Sequence, residues 1–413
     1  MAFRILGRAS LYQSGGAVGF RDQLQDYVNL LPLDPRGCRE HILACCAHQF
    51  REGDVQHWWH PGAGPTDKGV RTRCSDDLLW LPWAVGEYIA ATGDRELLRE
   101  EAPYLSAPPL GPGENSRYET PEIAPEQGTV WDHALRAVEE VLRRGVGRHR
   151  LLLMGGGDWN DGFDAMGEGS ESVWLSFFAS RVLDDLAALA PDEAAAEKLR
   201  RAGEMLGRAA NEAWEADHFL RGYFGDGTPL GSREGDNCRI DSLPQSFAAF
   251  CPWADRERVG IALDTALREL WDRGRNLIRL YTPPVRPGER SPGYVAGYGP
   301  GFRENGGQYT HAAVWLARAC FRTGRWQEGA ELLRAIAAAP RQKGYGAEPW
   351  LLPADVITAP EAMGRAGWTG YTGAAGWWYR TAWEDMLGMA WKSGEAAVSL
   401  PAPAESAGWR IVK

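Results

Sequence analysis

No run in this 413-residue chain approaches the roughly 18 apolar residues of a membrane-spanning helix. The opening Met1-Ala2-Phe3-Arg4-Ile5-Leu6-Gly7-Arg8 has too short an apolar stretch for a secretory signal, so a soluble protein is expected. No block of consecutive Lys or Arg breaks a balance of 45 basic against 55 acidic residues, a net charge of -10. That balance argues against nucleic acid as a partner and against direct membrane insertion. The seven cysteines are odd in number and contain no CxxC pair, a pattern that fits a reducing cytoplasm better than a disulfide framework. Fixed-period repeats, a P-loop and a dinucleotide fingerprint are absent too.

Tryptophan is abundant. Nineteen residues of the 413 are Trp, several-fold above the roughly one per cent of an ordinary soluble domain. Such an excess suits flat ligands such as sugars, or an aromatic-rich core. Helical periodicity dominates the rest: Phe20, Leu24, Tyr27, Val28 and Leu31 make one apolar stripe, closed off by Pro32 and Pro35. Further helices are expected near 39–50, 78–92, 132–144, 172–189, 194–214, 239–250, 255–273, 309–323, 326–338 and 376–391. Long loops rich in Gly, Pro and aromatics lie between them, which suggests paired helices in a toroid with the loops gathered at one mouth. Strands are expected to be few, Leu277 to Tyr281 being the best candidate.

The loops carry the chemistry. Gly155-Gly156-Gly157-Asp158-Trp159-Asn160-Asp161-Gly162 sets two acids around a Trp in a glycine-rich turn. An acid that protonates a glycosidic oxygen at neutral pH needs a raised pKa, which a second carboxylate and an apolar ring can supply, and the Trp face can stack on a pyranose. The same residue types also serve as turn formers and helix caps. A second segment combines His57, Trp58, Trp59 and His60 with Arg71, Arg73, Asp76 and Asp77. Its arginines and acids could grip hydroxyls or phosphate, whereas one of the acids could simply cap the helix at Leu78. His57 and His60 have no obvious third ligand, and Pro61 opposes a helix there, so no metal is expected. Gly301 to His311 and Gly367 to Trp377 each lead into a helix and are candidate anion cradles.

Taken together these segments resemble glycoside hydrolase family 94, the inverting phosphorylases that include cellobiose and chitobiose phosphorylase. They are most similar to the phosphorylase-like C-terminal region of cyclic β-1,2-glucan synthases. The matching motifs are Tyr12 to Ala17, Phe20 to Asp26, Glu52 to Pro61, Ser75 to Pro82, Gly157 to Gly162, Cys238 to Ser242, Thr282-Pro283-Pro284, Glu304 to His311 and Tyr371-Thr372-Gly373. The resemblance implies an all-α (α/α)6 barrel over residues 1–395, lacking its first helices and the family's flanking β-domains, with a tail over 396–413. It implies that Asp161 is the general acid, that Trp159 lies beside the sugar being cleaved, and that Arg71 and Asp77 hold that sugar. Asp158, Glu304 and Gln308 join the substrate site, and His311, Thr372 and Gly373 fall on phosphate-binding positions. Phosphate needs no base to activate it, so one acid suffices and no cofactor is implied beyond inorganic phosphate as co-substrate. Partners would be β-linked oligoglucosides and phosphate, in a homodimer or within a larger synthase. Two departures stand out: Gly370 replaces a Trp of close relatives, and 339–348 is shortened. Two other readings stay open, a non-catalytic glycan-binding or chain-length-controlling fragment, and an inverting β-glucosidase using Glu304 as base.

Overall fold

The computed structural model describes residues 16–62, 64, 66–339, 343–370 and 372–398. The Tyr12 to Gly15 part of the first motif, Tyr371, and the tail from 399 onward lie outside the described residues. Eleven α-helices appear among the described residues: α1 (Phe20–Asn29), α2 (Pro35–Cys46), α3 (Trp80–Thr92), α4 (Val130–Arg144), α5 (Val173–Ala187), α6 (Glu193–Glu212), α7 (Ser242–Ala248), α8 (Arg256–Glu269), α9 (Thr310–Arg322), α10 (Trp326–Ala338) and α11 (Ala374–Arg380). The last continues as a π-helical turn, Thr381–Met386.

The odd-numbered helices form a closed inner ring. α1 packs on α3, α3 on α5, α5 on α7, α7 on α9, α9 on α11, and α11 returns to α1. The even-numbered helices form an outer layer, with α6 on α5, α8 on α7 and α10 on α9. This is a helical (α/α) barrel-type fold. Sequence separates the two layers: every residue from Thr310 to Cys320 in α9 is buried, as expected of a helix enclosed all round. In α6 the buried set Ala196, Leu199, Gly203, Leu206, Gly207 and Ala210 is one stripe, and the opposite face carries the charges.

Local chemistry sets the helix ends. Thr129 and Asp132 make a capping box at the start of α4, and Asp192 accepts a hydrogen bond from the Ala195 amide at the start of α6. Gly207 lets α6 approach α5 closely: a Cβ there would lie 2.7 Å from the Trp253 Cβ and 2.8 Å from the Ser180 Oγ. All seven cysteines are free and buried.

The loops hold more strand than the sequence pattern suggests. β1 (Val18–Gly19), β2 (Gln56–His60), β3 (Lys68–Thr72), β4 (Glu101–Ser106), β5 (Ser116–Glu119) and β6 (Glu122–Thr129) lie in the first third of the chain. β1, β2, β3 and β5 make one antiparallel sheet in that order, and β4 pairs with β6. The aromatic and β-branched residues of Gln56 to His60 favour this pleated surface, but the neighbouring Pro and Gly make the segment read as irregular. Leu277 to Tyr281 is split between two short strands, Leu277–Ile278 and Tyr281–Thr282. Among the described residues no helix is long and apolar enough to cross a membrane.

Candidate active site

The N-terminal ends of α1, α9 and α11 border one cleft of about 300 Å³, lined by Arg21, His57, Trp159, Asp161, Glu304, His311, Thr372 and Gly373 among others. Helix N-termini present unpaired amides and a positive dipole end, so the sequence builds an anion-favouring rim before any side chain is counted. His311 stands in the first turn of α9, and Gly373 is the residue before α11. The Thr372 hydroxyl accepts the Ala374 amide at 3.1 Å, fixing that turn.

Asp161 faces this rim from the loop before α5. Its side chain is 37% exposed, and Oδ1 accepts from Arg21 Nη2 at 2.7 Å. The Cys74 thiol approaches the same oxygen at 3.6 Å. Burial, with Asp161 and Asp77 adding negative charge, pushes that thiol well above its usual range, so it remains a protonated donor. Trp159 meets His311 edge-on at 5.4 Å and Tyr309 at 5.1 Å, and packs against Trp315 at 5.1 Å between ring centres. The ring therefore lines the same cleft as Asp161 and touches His311 of the anion rim.

Arg21 is the functional residue that sequence reasoning left without a role. It is buried beneath the cleft and donates to Asp76 at 2.8 Å and to Asp161 at 2.7 Å, with Asp77 3.8 Å from its Nε. Behind it, His57 Nδ1 meets Asp77 at 2.7 Å. Burial opposes charge on His57, but the Asp77 carboxylate outweighs it and lifts the imidazole to about 9. Burial would likewise raise Asp77, and His57 and Arg21 hold it below the usual carboxylate range. Asp76 is moved the other way, raised by burial despite Arg21. Asp77 thus acts behind the cleft wall, through His57.

Three expected contacts are not with the cleft. Arg71 is fully buried, bidentate to Asp54 at 2.6 and 2.7 Å, bonded to Glu52 at 3.1 Å and stacked on Phe50. β3 points it away from the mouth, and its donors are consumed. Arg73 is spent on the carbonyls of Leu110, Gly111 and Glu114. Asp158 is enclosed, taking both prongs of Arg221 at 2.6 and 2.7 Å and the Ser172 hydroxyl at 2.7 Å. Gln308 is buried and accepts the Ile278 amide at 2.9 Å. These residues shape the loops that present Asp161 and His311.

Glu304 does line the cleft, paired with Arg303 at 3.2 Å. Arg303 holds φ +47° while its guanidinium lies over the Trp368 ring at 4.1 Å. A non-glycine residue in that region is uncommon, and such strain concentrates at functional sites. His57, Cys74 and Asp77 bring three potential ligand atoms within 4.8 Å of one another. With His57 Nδ1 committed to Asp77 and the thiol protonated, they behave as a hydrogen-bonded cluster.

The sequence matches the family model of the glycosyl hydrolase 94 superfamily, catalytic domain, over residues 1–388. The chain belongs to that family. It is 41% identical over 98% of its length to the cyclic beta-(1,2)-glucan synthase NdvB of Rhizobium meliloti (strain 1021), and this match covers 15% of that protein. It is 31% identical over 90% of its length to the solabiose phosphorylase of Paenibacillus borealis, covering 46% of it. This family 94 chain therefore spans less than half the length of either relative. A solved glycosidase shares the fold, with a TM-score of 0.57 at 14% identity over 92% of this chain and 90% of that one.

Proposed function

We propose that this chain carries out inverting phosphorolysis of β-linked glucosides, of the β-1,2-glucan or cellobiose type, releasing α-glucose 1-phosphate reversibly. The observation that carries the reading is that Asp161, Trp159 and the set His311, Thr372 and Gly373 line one cleft, with Trp159 against His311. The glucose ring would lie against Trp159. Asp161 gives its proton to the glycosidic oxygen as the C–O bond breaks, and a phosphate oxygen bonds to the anomeric carbon from the opposite face. Oδ1 of Asp161 already accepts from Arg21 and Cys74, which assigns the transferred proton to Oδ2. Phosphate charge would be met by the amides at the starts of α9 and α11 and by His311, with no metal or other cofactor in the scheme.

An inverting hydrolase on the same frame needs a base opposite the acid. Asp22 and Glu304 are the cleft's other carboxylates among the described residues, and the ion pair of Glu304 with Arg303 favours the phosphorolytic reading over Glu304 as base. The test is release of glucose 1-phosphate from β-linked glucose disaccharides and β-1,2-oligoglucosides, with and without inorganic phosphate. Phosphate-dependent product is expected. Phosphate-independent release of glucose would make the chain a hydrolase, and sugar binding without turnover would make it a glycan-binding or chain-length-controlling part of a larger synthase.

A further inference from the structure

A second cavity, of about 600 Å³, opens toward the C-terminal ends of the inner helices, with α8 leaning across it. Its size is within the range of small-molecule sites. One side is aromatic, with Trp83, Phe178, Phe247, Trp315 and Trp377. The other carries Arg181, Arg256, Arg318, Arg322, Arg325 and Arg380, a dense basic group in a protein of net charge -10.

The acids near these arginines leave Arg256 without an ion-pair partner among the described residues. Glu384 takes Arg318 at 2.9 Å, Arg322 at 2.7 Å and Arg380 at 2.6 Å. Asp385 pairs with Arg322 and Arg318, Glu87 with Arg380, Asp185 with Arg181 and Asp264 with Arg325. Five carboxylates thus make ion pairs with five of the six guanidiniums, and Asp184 and Glu328 add negative charge near Arg181 and Arg325. Arg256 reaches only the carbonyls of Ala249 at 3.4 Å and Cys251 at 3.2 Å. Arg318 and Arg380 are 8% and 7% exposed; Arg318 Nη1 lies 3.3 Å from Asp385 Oδ2, whereas Arg380 keeps an Nη1 with no hydrogen-bond partner. Burial, with Arg380 and Arg322 adding like charge, moves the Arg318 guanidinium below its usual range.

Arginines at the ends of α9 and α11 complement helix C-termini. That explanation fails for Arg256, which opens α8 at its positive end. The acids Glu384 and Asp385 also sit in the π-helical turn, a distortion common at functional sites.

We propose that this cavity is a second ligand site, which takes a phosphate monoester carried on a flat ring of hexose size. Phosphate matches the guanidinium fork of Arg256, which has no carboxylate partner among the described residues, and the unpartnered Nη1 of Arg380, and the ring matches the aromatic wall. The inference does not depend on the chemistry of the cleft. The two sites share a wall, since Trp315 lies 4.3 Å from the His311 ring and 5.1 Å from Trp159, centre to centre.

Calorimetric titration of the 413-residue chain with glucose 6-phosphate, and with glucose as the neutral control, tests it. Saturable binding of the phosphate ester alone is expected. Arg256→Gln should weaken it at least about tenfold, the effect of losing one charge-assisted hydrogen bond. Gly260→Leu should abolish it by filling the cavity, because a Cβ there meets only Arg325 Nη2 at 3.7 Å and should be tolerated. His311→Ala, in the cleft, should leave it unchanged. The proposal is overturned if the wild-type chain shows no saturable binding, if both cavity variants bind as wild type does, or if only His311→Ala loses binding. Should Gly260→Leu fail to fold in a thermal melt, Arg256→Gln decides.

Discussion

Replacing Arg21 by Met removes the one guanidinium that touches Asp76 and Asp161 and lies within 3.8 Å of Asp77, while keeping the apolar bulk of the stem. Asp76 is wholly buried and burial raises its carboxyl to about 7 even beside Arg21, so in melts run near pH 9 the variant strands its charge away from water. Breaking a buried pair from one side costs about 3–5 kcal/mol. With an unfolding entropy of about 2.1 cal/mol/K per residue, the 413 residues give about 0.9 kcal/mol per degree. The midpoint should therefore fall by roughly 3–6 °C. The mechanism is checked by the second corner of a double-mutant cycle. Asp76→Asn keeps an oxygen for the Trp80 indole, which donates to Asp76 at 2.9 Å, yet removes the stranded charge. In the Arg21→Met background it should recover about 1–2 kcal/mol, whereas alone it should destabilise. Calorimetric melts of the four proteins supply the data. An Arg21→Met midpoint within 1 °C of wild type, or an Asp76→Asn effect of the same size and sign in both backgrounds, would refute the reasoning.

Asp161→Asn should lower phosphorolysis by about 10²–10⁴-fold, the usual worth of a general acid, while calorimetry still detects oligoglucoside binding; unimpaired turnover would move the acid elsewhere. Stability should peak near neutral pH. His57 is held at about 9 by Asp77 against burial, so its contribution is full below the ordinary value near 6.5 and is lost as pH rises through 9, at most about 3 kcal/mol. His133 is held down to about 4 by burial, so the unfolded chain takes up its proton first and stability falls from pH 6.5 downward, by about 2 kcal/mol at pH 5. Urea titrations across pH 5–9 should show both slopes, and a flat profile would contradict them. Gly207→Val should cost about 1–3 kcal/mol by overpacking the α5–α6 seam, where a Cβ already meets Trp253 and Ser180; a melt unchanged from wild type would show that the seam yields freely.

The helices were legible in the sequence because the inner and outer layers impose a periodicity that tertiary packing rewards, and predicted and observed spans differ mainly at their ends. The acid loop and the two candidate anion cradles stand out in the sequence by their density of glycines, acids and Trp, and residues of all three line one cleft. Arg21 and Arg71 were not separable. Arg21 lies in a matched motif and Arg71 between two of them, and what distinguishes them is their partners: Asp76 and Asp161 for one, Asp54 and Glu52 for the other. Those partners lie far apart in the chain, so local pattern carries no trace of the pairing. Asp158 shows the same limit. It sits three residues from Asp161, and only the arrival of Arg221 across the barrel makes it a strut rather than a sugar ligand. The β2–β3 hairpin was obscured by the Gly and Pro of its turn.

Arg221 joins Asp158 with two short bonds and reaches Asp241, the N-cap of α7, at 3.1 Å. The chain from Asp158 to Asp241, with α5 and α6 within it, is therefore a loop drawn shut at its neck by one guanidinium. It acts as a non-covalent cross-link: the turn bearing Asp161, the proposed proton donor, has lost its freedom before any sugar arrives, so closing that loop is a cost of folding and not of each encounter with substrate.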